Sequence, residues 1–553
     1  MPPQPLPRGF RRTDLPPALL TLATLVIATL LFRFFMVPYE QWINFDEGCE
    51  AAAVERLISG HWLPYVDAAA IRGPFLYWTQ GIFTVLTGRF EYTGTRLLAL
   101  VCALGTVSMT FLGGWAAGWP LAGAIGGAMY IFVIAIVYPV GAGMGIVGES
   151  VAIAYLATAF FLLAYALYRA RSERGRITLL ALGGFVFGMA GLTKQTQIIA
   201  CLPLFIWIFA RSLGDEMPPP WGTILKRRLL PFGAGGLGLL ALVLLRYAVA
   251  GQLRTFLFWS MSYGANFYMK PYQGQVLRLM SQWFIDQPWA ILGVVLALAV
   301  GVGAPLAAIE GRSARKILAG LRDSAFEIAV GLMALVLLVA AAMPLRLWGN
   351  YFMLVYPFFG MSLGILIERL LRRGGQVPLV AQAAIVVAVG WLLIVSGVNH
   401  LYGLAHERAG GAWRNPRPDP ACAEIDRLAG PGHQPIFVWG TAGDLYITCQ
   451  RPSVTMFTST MIIAGIVAPF WDPNPSRVAP GIQETLLREL TTSRPPVLLD
   501  HEMAPRATMM DFPFLADLVH REYCRVSTVV DGRGRPMTFY ARRDLAACQA
   551  ASP

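Results

Sequence analysis

The stretch FDEGCEAAAVERLISGHWLPYVDAAAIRGPFLYW, Phe45–Trp78, lies between one hydrophobic span and the next and carries adjacent acids, a helical pattern, and Arg-Gly-Pro ahead of aromatics. Its surroundings set the architecture. Of 553 residues 56% are hydrophobic and only 14% charged, with a mean hydropathy of +0.55. Soluble domains run at about 45–50% apolar and about 25% charged. Such a chain is polytopic in a membrane. Apolar runs of the length that crosses a hydrocarbon core, about 20 residues, centre on 17–37, 94–117, 119–140, 148–168, 177–193, 195–211, 229–249, 289–309, 325–343, 350–369 and 377–398. The expectation is about eleven transmembrane helices, with the short pair around Thr193 readable also as re-entrant.

Positive charge sets the orientation, because short cytoplasmic loops are rich in Lys and Arg. The N-terminal RGFRR, RARSERGR at 169–176, LKRR at 225–228, EGRSARK at 310–316 and ERLLRRGG at 368–375 fall on alternate sides of the span count. All five therefore share the cytoplasmic face. The opposite face receives the loops 38–92 and 250–288, the link at 141–148, the turn at Lys194, the RLWGN turn and everything after His400. The net charge of +12 is largely accounted for by the cytoplasmic loops, so it does not point to nucleic acid. The first apolar span lacks a small-residue cleavage site and reads as a helix that stays.

The domain reading is a transmembrane catalytic part over 1–400, a polar, Pro-rich linker over 401–420 and a small extracytoplasmic α/β domain over 421–553. In the last, PIFVWG and PVLLD read as strands, QETLLREL as helix, and CRVSTVVDGRGRPMTFYARR as a hairpin around Asp-Gly. Cys422, Cys449, Cys524 and Cys548 fit disulfides of an oxidising compartment, or buried thiols; the sequence gives no pairing. There is no His/Cys cluster, P-loop or dinucleotide fingerprint, which disfavours ATP-driven transport. No cofactor is indicated, and the requirement for a divalent metal stays open.

Within the opening stretch, Asn44 before FDE and Glu47 three residues on make an Asx capping arrangement for a helix ended by Gly60. Glu47 thus has a capping role open beside a chemical one. Ala51–Ala53, Val54, Leu57 and Ile58 read as the apolar face of a helix lying at the membrane surface. Arg72 is followed by Gly73 and Pro74 and then by Tyr77 and Trp78, interface-loving aromatics; it reads either as a lipid-headgroup anchor or as a functional cation.

An acidic pair just after the first membrane helix, an amphipathic helix ending in SGHWLP, a basic residue before Pro, and YW ahead of TGRF…TRLLALV resemble the GT-C superfamily, glycosyltransferases that use polyprenyl-phosphate sugars. The pattern is most similar to the protein O-mannosyltransferase and lipid A aminoarabinose transferase branch, and to the lipopolysaccharide galacturonosyltransferases. Recognisable motifs cover the first 200 or so residues, and topology covers the rest. That branch usually has Lys-Pro or Pro-Pro where this chain has Arg72-Gly73-Pro74, so the sugar is not legible.

The resemblance implies a multi-pass protein of the bacterial inner membrane with its site on the periplasmic side. It implies a polyprenyl-phosphate sugar donor and a lipid, glycan or protein acceptor. Sugar transfer needs a carboxylate near the incoming hydroxyl and cations near the departing phosphate. Asp46 matches the family's acidic pair, with Glu47 beside it; Glu149, after GAGMGIVGES, matches the second acidic position and is equally a helix N-terminal acid favoured by the dipole. Arg72, Lys194 in GLTKQTQ and Arg346 in PLRLWGNYF are the phosphate-side candidates, the last two also readable as snorkelling helix-end cations. Tyr77 and Tyr351 are substrate-side candidates, Tyr351 also readable as a belt aromatic. The rival classes are a transporter or lipid flippase and a membrane-anchored binding scaffold. A transporter calls for inverted repeats and mid-span charges, neither of which is found, and an anchor does not need so many spans.

Overall fold

The computed structural model describes residues 15–33, 45–69, 72–88, 92–134, 148–213, 221–268, 278, 281, 288–303, 306, 314–343, 349–372, 419–466, 472–501, 507–531 and 534–551. Asn44, Arg346, the expected span over 377–398 and the linker as far as 418 lie outside the described residues. The chain divides into two compact units, 1–36 with 99–245 and 274–410, and 37–98 with 246–273 and 411–553.

The first unit is helical. Its elements include α1 (Leu15–Arg33), with α2 (Phe45–Ser59) and α3 (Pro74–Thr87) of the other unit following in the chain. Then come α4 (Tyr92–Ala117, begun in the other unit), α5 (Pro120–Phe132), α6 (Gly148–Tyr168), α7 (Glu173–Thr193), α8 (Cys201–Arg211), α9 (Trp221–Val249, whose last four residues from Arg246 on belong to the other unit), α10 (Pro288–Leu298), α11 (Ala314–Asp323), α12 (Ala325–Ala342) and α13 (Tyr356–Arg372). Among the described residues six helices are long and apolar enough to cross a membrane, and Pro120–Phe132, Gln195–Arg211 and Ile291–Gly303 are shorter apolar ones. Helix α7 begins before its apolar run because Ser172 caps it, its hydroxyl accepting the Gly175 N–H at 3.1 Å.

With lipid as solvent, helix association needs close backbone approach. Helices α5 and α13 supply it through Ala122…Gly126 and Gly360…Gly364, each a small residue four positions from the next. A side chain at Gly364 would stand 2.5 Å from the Ala122 Cα, and one at Gly360 2.9 Å from the Gly126 Cα. Phe160, Trp207, Phe326 and Phe358 fill the core beside them, Phe160 stacking on Trp207 at 4.7 Å between ring centroids. Between α7 and α8 the helix breaks. Lys194 is extended (φ −140°, ψ 108°) and a 3₁₀ turn, Gln195–Ala200, follows. The backbone stays paired, the Lys194 N–H to Ala190 O at 3.0 Å and the Gln197 N–H to Lys194 O at 2.9 Å, as irregular backbone at membrane depth requires.

The second unit contains α2 (Phe45–Ser59), α3 (Pro74–Thr87) and the C-terminal α/β part. Pro74 opens α3 at the position where a missing N–H costs nothing, after extended Gly73, and left-handed Gly88 (φ 63°) closes it. The four strands β1 (Phe437–Trp439), β2 (Val497–Asp500), β3 (Tyr523–Val530) and β4 (Pro536–Arg542) are ordered β1-β2-β4-β3. β1 and β2 are parallel, and β3–β4 is the hairpin expected around Asp-Gly. QETLLREL is helical within Ile482–Ser493. The cysteines pair as Cys422–Cys449 and Cys524–Cys548.

The apolar face of α2 departs from the expectation of a membrane-surface helix. Ala51 and Ala52, 4% and 1% exposed, belong to one core with Ile425, Val438, Leu445, Leu499 and Phe539. The face is buried by protein: α2 docks on the C-terminal part so closely that a side chain at Gly48 would stand 2.7 Å from the Asp444 Cα. Arg56 donates to Ser453 O at 2.7 Å, and Thr458 donates to Cys49 O at 3.0 Å. A period-3.6 pattern reports that a face is covered and not by what.

Candidate active site

In the second unit the acids of the opening stretch take different partners. One helical step separates Asp46 from Glu47, about 100° of rotation, and it sends them to opposite tasks. Asp46 meets the Arg72 guanidinium at 2.5 Å, and the Nε of the same guanidinium meets Glu50 at 2.5 Å. Glu50 was not singled out by the sequence reading; the signal was its i+4 spacing from Asp46, which places both carboxylates on one face of α2. Of the three acids Asp46 is the one open to an incoming molecule, its side chain 35% exposed against 6% for Glu50 and 0% for Glu47. Tyr77 is buried beside this group. Burial and then the Glu50 carboxylate push its phenol well above the ordinary range, partly offset by Arg72. The same acids, with Asp444, act after burial to push the Cys49 thiol up, so it stays a neutral filler.

Glu47 forms a forked pair with Arg96 of α4, Nε to Oε1 at 3.3 Å and Nη2 to Oε2 at 3.4 Å. Nothing in the local sequence marks Arg96 as its partner; only tertiary packing joins them. Breaking a buried pair strands a charge and costs about 3–5 kcal/mol. Glu47→Ala is therefore expected to cut yield and lower the unfolding midpoint. Glu47→Gln, which keeps the shape, should do so less, with turnover per folded molecule near wild type. Activity measured alongside thermal unfolding checks this, and a purely kinetic loss would contradict it.

In the first unit the structure brings together Glu149, Lys194 and Tyr351. Glu149 opens α6, fully buried, and its Oε1 accepts from the Lys194 ammonium. That ammonium lies over the Tyr351 ring, 3.7 Å from its centroid. Tyr351 sits in the 3₁₀ turn Gly349–Leu354 and is 7% exposed. Two residues distant in sequence thus converge on the Lys194 cation, which is held by a carboxylate and by the negative face of an aromatic ring. An ammonium has three donors, so it can hold a carboxylate and an anionic oxygen at once. Among the described residues no group of three or more His, Cys, Asp and Glu is arranged to hold a metal ion.

The fold is that of a multi-pass helical membrane protein with a C-terminal α/β domain. The chain is similar in structure to ArnT from Cupriavidus metallidurans, solved bound to undecaprenyl phosphate. The TM-score is 0.52 at 16% identity, over 94% of this chain and 97% of that one. It is also similar to the Archaeoglobus fulgidus oligosaccharyltransferase in its apo form, with a TM-score of 0.50 at 12% identity, over 95% of this chain and 74% of that one. At such identities the likeness is one of fold. No family model and no curated protein sequence matches the chain.

Proposed function

We propose that the protein is a glycosyltransferase that moves a sugar from a polyprenyl-phosphate donor to a hydroxyl-bearing lipid, glycan or protein acceptor. The observation that carries this reading is the Lys194 ammonium, fixed by Glu149 and Tyr351 at a helix break. It lies in a fold shared with a protein solved bound to undecaprenyl phosphate. In the reaction the acceptor oxygen bonds to the anomeric carbon as the bond from that carbon to the phosphate oxygen breaks. The electron pair leaves with the polyprenyl phosphate, and the acceptor proton passes to a carboxylate.

Asp46, the most accessible of the three acids, is the acceptor-side base, and Arg72 holds it in place through a guanidinium shared with Glu50. Lys194 stabilises the departing phosphate, with Glu149 fixing the ammonium and Tyr351 shielding it. Arg72 has five donors and is assigned to the donor phosphate as well, as is Arg346. Tyr77 takes part in substrate binding. Glu47 serves through its pair with Arg96. The division into a membrane catalytic part over 1–400, a linker over 401–420 and an outer domain over 421–553 belongs to the same reading.

The site and the C-terminal domain face the periplasm from the inner membrane in this reading, supported by the five basic loops on alternate sides of the span count. A reporter active only in the cytoplasm, fused after Val398, is expected to be silent; an active fusion would overturn the orientation. The function is tested by incubating the purified protein with a panel of polyprenyl-phosphate sugars and candidate acceptors. Acceptor-dependent release of polyprenyl phosphate is the expected result, and its absence across the panel would sink the reading.

A further inference from the structure

The loop between α2 and α3, His61–Ala68, contains two of the four non-glycine residues with positive φ among the described residues, Trp62 at 59° and Tyr65 at 72°. For bulky side chains this is sterically costly backbone, and it persists only where surrounding groups over-determine it. Here they do. The Asp67 carboxylate accepts the N–H of His61 at 3.0 Å and of Leu63 at 2.8 Å and lies 3.0 Å from His61 Nδ1. Trp78 Nε1 donates to Trp62 O at 3.0 Å, and the Tyr247 hydroxyl to Pro64 O at 2.7 Å. Arg246 donates to His61 O at 3.0 Å, and the Tyr65 N–H to Ala68 O at 2.9 Å.

What this bracing fixes is the Tyr65 side chain. It is 0% exposed, with its ring against Phe256 at 5.9 Å and Tyr247 at 6.4 Å between centroids. Its hydroxyl donates to the main-chain carbonyl of Arg72 at 2.8 Å. Burial pushes the phenol above its ordinary range, so the hydroxyl remains a donor at any working pH. The carbonyl it holds belongs to the residue whose guanidinium reaches Asp46 and Glu50.

We propose that Tyr65 is a positioning residue for the reaction, its hydroxyl setting the Arg72 backbone and thereby the angle at which Arg72 presents the Asp46 carboxylate. This rests on the transferase reading above. It goes beyond that reading by assigning the strained His61–Ala68 loop a role in turnover. Misplacing a reacting group by about 1 Å costs on the order of 10²-fold in rate, and a lost tie one residue removed should cost less.

The test is Tyr65→Phe, which removes one hydroxyl and keeps the ring. It should lower transfer roughly tenfold, the worth of one hydrogen bond, with KM for the acceptor unchanged. The unfolding midpoint should barely move, since one neutral hydrogen bond is small against a chain of this size. The deciding readout is a cycle with Arg72→Ala: in that background Tyr65→Phe should have almost no further effect on turnover. A merely structural Tyr65 would give additive losses and a lowered midpoint, and either overturns the proposal. Active wild type with unimpaired Tyr65→Phe would overturn this inference alone; inactive wild type across the donor panel would overturn the transferase reading and this inference with it.

Discussion

Asp46→Asn is expected to reduce transfer by at least about 10²-fold, the lower bound of what a positioned acid or base contributes, while yield and donor binding stay near wild type. The substitution keeps size and removes charge. Its small structural cost follows from exposure: the Asp46 side chain is 35% exposed, and Arg72 keeps its 2.5 Å contact with Glu50 when the Asp46 charge is gone. The part-buried Arg72 guanidinium keeps a carboxylate partner in Glu50, so no charge is stranded by the change. The check is turnover with a saturating polyprenyl-phosphate sugar, beside a binding measurement for the donor alone. Unchanged turnover would remove Asp46 from the reaction. The contrast with Glu47 is internal to the protein, because the neighbouring acid is fully buried on Arg96 and should report on folding.

Lys194→Met is expected to lower transfer on the order of 10²-fold or more, the typical cost of removing one group aimed at developing charge in a dry site. Yield should fall as well, for a separate reason. Glu149 is 0% exposed, and deleting its cation strands a buried carboxylate at about 3–5 kcal/mol. The double variant Lys194→Met with Glu149→Gln separates the two effects. Replacing both members of a buried pair by neutral groups is often harmless to stability, so yield and unfolding midpoint should recover while transfer does not. Recovery of transfer in the double variant would show that Lys194 serves only to neutralise Glu149 and does not touch the phosphate.

How far the site was legible depends on the length scale of each interaction. Asp46, Arg72 and Tyr77 lie in one quoted stretch, and the structure joins them. Glu50 was readable from helical spacing alone. Glu149, Lys194 and Tyr351 were singled out separately, but their convergence on one ammonium depends on a helix break after Thr193 and a 3₁₀ turn at Gly349–Leu354. Neither turn's direction is set by the residues within it. Arg96 and Tyr65 carried no local signal: one acts through a pair 49 residues away in sequence, the other through a hydroxyl on a main-chain carbonyl.

The sequence by itself determined what composition and short periods can encode: a multi-pass helical membrane chain, an α/β C-terminal part with its strands and hairpin, and the charged residues between the spans. These follow from solvation and from repeats of 2 and 3.6 residues, which act within a few neighbours. Only the tertiary structure decided which partner each charge takes and what covers each apolar face. Ala51 and Ala52 have the pattern of a helix on a lipid surface, yet they complete a protein core with Val438, Leu499 and Phe539. Burial of an apolar face is favourable against either medium. The choice was made by the close approach that Gly48 permits at Asp444, a contact between segments nearly 400 residues apart, to which a local pattern is blind.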